Sequence, residues 1–87
     1  LFRSVVEFET PELNRLWGEI ENLPLQCKVV FKLVILEDMK YKDVADSLGI
    51  SVNTVKTQMK IAYKTLREKL KQEQFSLLLF LFGIKED

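Results

Sequence analysis

Asn53, Thr57, Ile61 and Lys64, flanked by Thr54, Lys56 and Lys60, fall on one side of a helical wheel drawn at about 100° per residue. Short amide and hydroxyl side chains near the start of a helix reach base edges, and lysines further along meet phosphates. That combination suits a helix laid in the major groove of a duplex. An ordinary amphipathic helix with a solvated face has the same polar side, so the segment in front of it must decide between the two readings.

The elements that hold this face are legible in Tyr41 to Leu70, YKDVADSLGISVNTVKTQMKIAYKTLREKL. Val44, Ala45 and Leu48 follow Tyr41 at helical spacing, which predicts a short helix with one buried face. Gly49 stands where the chain must turn sharply, and glycine takes a left-handed backbone there without steric cost. Ile50 returns a side chain to the core, and Ser51 is placed to cap the next helix. That helix carries Val52, Val55, Met59, Ala62, Leu66 and Leu70 in steps of three and four, an inward stripe. Two helices joined by a glycine turn, the second with a lysine-studded outer face, make a helix-turn-helix. The residues expected to meet DNA are Lys40, Tyr41, Lys42, Ser51, Asn53, Thr54, Lys56, Thr57, Lys60, Ile61 and Lys64.

The formal net charge is zero, yet it is unevenly spread. Residues 1–39 hold four basic and seven acidic side chains (−3), residues 40–71 eight and three (+5), and residues 72–87 one and three (−2). The positive charge therefore lies on the proposed reading unit, as a phosphate footprint requires. Enzymatic chemistry lacks parts. There is no histidine, the commonest general base and metal ligand. Cys27 is the single cysteine, so neither a disulfide within the chain nor a thiolate metal site can form. No phosphate-cradling glycine loop is present. Cys27 reads as a small buried hydrophobe, and neither a cofactor nor a metal is expected.

Leu23 to Lys71, with LPLQCKVVF set at the right separation before YKDVADSLGISVNTVK, resembles region 4 of a bacterial sigma factor of the sigma-70 family, in the extracytoplasmic-function group. The resemblance implies a cytoplasmic protein with a small all-α fold. Four helices would include a winged-helix-like, sigma region 4 type of helix-turn-helix, with an apolar tail after them. It also implies recognition of the −35 promoter element through helix 52–70, and docking on the β-flap of RNA polymerase. Control by an anti-sigma factor is common in the resembled family, though no residue of this chain specifies it. Two departures stand out. Met39-Lys40-Tyr41 replaces the family's small capping residue, losing a side-chain N-cap but adding a charge for phosphate. Ile61 stands where the family often has arginine, either to meet a thymine methyl or to serve a protein contact.

The expected organisation is an interdomain linker remnant over 1–9, the helix-turn-helix domain over 10–71 and a hydrophobic tail over 72–87. The opening LFRSVVEFET lacks an initiator methionine, as expected of a piece cut from a longer factor. Thr10-Pro11-Glu12 starts a helix with a cap, a proline at the first position and an acid at the positive dipole end. Leu13, Leu16, Trp17, Ile20 and Leu23 form its apolar stripe, which makes Trp17 a core residue rather than a base-stacking one. From Pro24 to about Glu37 a second helix is apolar nearly all round, through Leu25, Val29, Val30, Phe31 and Leu33 to Leu36. Such a helix is central to the core or covers a partner groove, and with the first helix it is the candidate polymerase contact.

The run from Ser76 to Ile84 is too short for a bilayer, which needs about 20 residues. It folds back on the domain, docks on another protein or pairs with a second copy through residues 75–84. Two alternatives to the sigma reading stand beside it. One is a DNA-binding domain of a LuxR-type response regulator, which shares a Gly-Ile-Ser-x-x-Thr-Val-Lys run. The other is a helix-turn-helix that binds protein and no longer reads DNA.

Overall fold

Pro11, whose missing amide costs nothing in a first helical turn, opens helix α1 (Pro11–Glu21) in a computed structural model that describes residues 11–84. Leu16 and Ile20 point inward from it, and Leu23 closes the stripe in the following turn. Trp17 is half-buried against the core, with the Lys32 ammonium 5.1 Å from its ring centre. The Thr10 cap and the linker over 1–9 lie outside the described residues, as does the end of the tail from residue 85.

Helix α2 (Leu25–Phe31) buries Cys27, Val30 and Phe31. The helical run expected from Pro24 to about Glu37 has those two residues as its caps, but its second half is not α-helical. Pro24 stands before the helix with an extended ψ of 148°, and beyond Phe31 the coil widens into a π-helical turn over Lys32–Leu36. The Glu37 amide bonds back to Lys32 O at 3.1 Å and the Met39 amide to Leu33 O at 3.1 Å. Between them Asp38 takes a left-handed φ of +57°, which ends the helix. Aspartate tolerates that conformation better than most side chains. This segment is not wholly covered: Leu25 is 73% exposed and Leu36 37%. Glu21 of α1 holds the middle of this segment, accepting from Lys32 Nζ at 2.6 Å and lying 3.6 Å from Lys28 Nζ. Those lysines, chiefly Lys32 through its hydrogen bond, hold the Glu21 carboxyl below its ordinary range.

Helices α3 (Tyr41–Leu48) and α4 (Val52–Lys69) follow, and α4 is the central strut. It packs on α2 along one side and on α3 along another, burying Val55, Met59, Ala62 and Leu66. Val52 departs from the expected inward stripe. As the first residue of α4 it emerges from the turn beyond its neighbours' cover, and it is 38% exposed.

The tail is a fifth helix, α5 (Gln72–Phe82), so the count of four helices plus a tail becomes five α-helices among the described residues. Gln74 Oε1 accepts from the Lys71 amide at 3.0 Å and closes its first turn. Phe75 and Leu78 are buried where α5 lies on α1 and α4. Folding back on the domain is thus the arrangement the chain adopts, because these two side chains fall three residues apart on one face. No strand occurs among the described residues, so the winged-helix-like expectation is corrected to a purely helical arrangement. No helix among the described residues is long and apolar enough to cross a membrane.

Candidate nucleic-acid interface

The turn between α3 and α4 has the geometry its sequence requires. Gly49 takes φ +69°. The amides of Gly49 and Ile50 both return to Ala45 O, the latter at 3.0 Å. Ile50 packs against the core, half-buried. Ser51 has an extended backbone, and its Oγ accepts from the Thr54 amide at 3.0 Å. Oγ also lies 2.9 Å from Thr54 Oγ1, so both hydroxyls are engaged at the helix start. Such a cap is worth about 1 kcal/mol. At the start of α3, Lys40 occupies the cap position without a side-chain bond.

α4 is clamped on its core side. The buried Cys27 thiol donates to Gln58 O at 3.4 Å, and Gln58 Nε2 donates to Gln26 Oε1 at 3.3 Å. Burial pushes the Cys27 thiol up, in keeping with a structural rather than reactive cysteine. Phe31 meets Tyr63 edge to face, centroids 6.1 Å apart and planes at 82°. Burial, with Tyr41 nearby, raises the Tyr63 phenol to about 12. The helix is therefore fixed in rotation, which decides what its other side presents.

That other side is open. Asn53, Lys56, Thr57, Lys60, Ile61 and Lys64 are all exposed, Ile61 to 39%. No acidic side chain pairs with Lys56, Lys60 or Lys64 among the described residues. Of the remaining expected residues, Lys40, Lys42 and Ser51 are exposed, and Tyr41 and Thr54 are half-buried. Lys42 shares its charge with Asp46 at 3.5 Å, both well exposed, which weakens its claim on a phosphate. Ser51 and Thr54 hold the helix start together and are drawn away from direct base contact. Val52, like Leu48 at the end of α3, is assigned to the core by the sequence pattern but left partly exposed by the fold, at the border of this face one turn before Lys56. Its place as the first helical residue is the signal, since a first turn often projects past its neighbours.

No cluster of side chains suited to a metal ion occurs among the described residues. What the arrangement can do is present a rigid helix whose first turns expose Asn53 and Thr57 and whose outer side carries the cations Lys56, Lys60 and Lys64.

Comparison with known proteins agrees with this geometry. Residues 13–66 match the family model for sigma-70, region 4, which is more than half of the chain. RNA polymerase sigma factor SigV of Bacillus subtilis (strain 168) is 35% identical over 57 residues, an alignment covering 66% of this chain and 34% of that protein. The chain thus spans about a third of the length of that relative. No solved structure matches it. The matched residues take in α2, α3, the Gly49 turn and most of α4, the parts that build and fix the open cationic face. The chain belongs to the sigma-70 region 4 family, a family of DNA-binding helix-turn-helix domains of sigma factors.

Proposed function

We propose that this chain is the promoter-reading module of a sigma factor, whose α4 enters the major groove of the −35 element while the domain docks on RNA polymerase to direct initiation. The observation that carries this reading is the outer face of α4. Lys56, Lys60 and Lys64 stand along it without acidic partners among the described residues, on a helix whose rotation is fixed from behind. Phosphate neutralisation by such lysines supplies affinity, and the polar side chains at the start of the helix supply register. The exposed apolar residues at either end of the α2 segment, Leu25 and Leu36, support a protein contact at that edge, and the polymerase β-flap is the proposed occupant. The SigV relative is by name an RNA polymerase sigma factor, which supports the same assignment and a cytoplasmic place of action. An anti-sigma factor as a further partner rests on the family alone. The family match overtakes the LuxR-type alternative.

Selection of bound sequences from a pool of random duplexes, with a salt titration, tests the reading. Enrichment of one short element is expected. Replacing Lys56, Lys60 and Lys64 by glutamate should abolish it and lower the salt slope by about 3, near one unit for each phosphate no longer neutralised. Binding of polymerase unaffected by that variant, with no element enriched by the parent chain, would instead establish a protein-interaction module.

A further inference from the structure

Resting on the promoter-reading function above, we propose that Val52 reads the 5-methyl group of a thymine in the bound element. The residues of a recognition helix that meet base edges lie at its N-terminal end. At the start of α4 the hydroxyls of Ser51 and Thr54 are engaged with each other and with the helix end, and Val55 is buried. Val52, Asn53, Lys56 and Thr57 remain for the groove.

Helix formation by itself favours a different residue at this place. A first-turn position favours an acid, which the helix dipole stabilises, and a β-branched side chain is a poor helix former. The first turn of α4 carries no acidic residue, and Val52 sits there 38% exposed. An acid would repel phosphate, whereas a short apolar group suits a base edge. Of the four bases only thymine offers an apolar group in the major groove, its 5-methyl. Lys56 lies one turn on from Val52, on the same edge of the helix, where its ammonium can hold the adjoining backbone.

Ile61, the apolar residue expected to meet such a methyl, is less well placed. It lies nine residues further on, about 13 Å along the axis and roughly half a turn around it. It cannot share the bases that the first turn reaches, and faces the rim of the groove instead.

The test uses the element recovered by selection. Each thymine is replaced in turn by deoxyuridine, which differs only in lacking the 5-methyl. One replacement is expected to weaken binding about fourfold, the value of burying one methyl group. Val52→Ala, at an exposed position, should fold as the parent does and lose that penalty. Asn53→Ala should bind more weakly overall but keep it. An enriched element indifferent to every uracil replacement, or a Val52→Ala variant with the penalty intact, overturns this proposal and leaves the promoter reading standing. Failure to enrich any element overturns the promoter reading itself, and this proposal with it.

Discussion

The helix-turn-helix of α3 and α4 and the terminal helix α5 are built with the same local devices and present opposite surfaces. Each has a side chain closing its first turn, Ser51 for α4 and Gln74 for α5. Each unit has a left-handed glycine at a helix end, Gly49 at φ +69° and Gly83 at φ +63°. The outward faces then diverge. α4 shows lysines, threonine and asparagine, whereas α5 shows Phe80, 82% exposed, and Leu81, 49% exposed. Their anchoring differs as well. α4 is held by both α2 and α3 through four buried side chains, α5 by Phe75 and Leu78. Local chemistry sets where a helix begins and ends. Function and stability depend on what lies across from each face.

The comparison breaks most visibly if α5 is removed. Deleting Gln74–Asp87 forfeits the burial of Phe75 and Leu78, about 3–6 kcal/mol together, and uncovers apolar side chains of α1. The truncated chain is expected to change oligomeric state or solubility, followed by light scattering. An unaltered, stable monomer would show that α5 covers nothing of consequence.

Paired leucine truncations sharpen it. Leu66 and Leu78 are both fully buried, one in α4 and one in α5. Leu66→Ala should cost about 3–5 kcal/mol and Leu78→Ala about 2–3 kcal/mol in urea unfolding, because the cost falls where the surroundings can close on the cavity. Helix α5, packed from fewer sides, can move to close it. Equal losses would place α5 in the same cooperative unit as the helix-turn-helix.

The glycines give the smallest contrast. A Cβ at either one meets nothing within 4 Å, so substitution acts through the positive φ alone. Gly49→Ala is expected to destabilise by about 1–2 kcal/mol. At Gly83, at the end of the helix packed from fewer sides, the cost should be roughly 0.5 kcal/mol. Thermal melts of both variants check this. A loss at Gly83 as large as at Gly49 would mean that the end of α5 is as firmly held as the turn.

The reading unit was legible because its signals are local. Tyr41, Val44 and Ala45, the glycine turn and the Ser51 cap each act within a few residues, and all stand where their types require. The same holds for the outer face of α4, since a helix's period and its buried stripe decide the opposite side together. Three features were not legible. Val52 satisfies the period of the stripe yet is 38% exposed, because as the first residue of α4 it stands at the end of the buried stripe that Val55 begins. The π turn at Lys32–Leu36 has no pattern of its own, being defined by hydrogen bonds to residues five places back. The engagement of Ser51 with Thr54, which withdraws two hydroxyls from the groove, depends on side-chain positions that spacing alone does not give.

The sequence alone specified the first four helices, the glycine turn, the cap and the concentration of positive charge on residues 40–71, since each follows from covalent geometry or composition within a short stretch. It determined the family as well, because the two halves of the motif stand at a defined separation. Tertiary packing made the apolar tail a helix folded onto α1 and α4, and it left Leu25, Leu36, Leu48 and Val52 incompletely covered. These outcomes depend on which surfaces meet across distant parts of the chain. Burial is a property of that meeting and not of any residue alone.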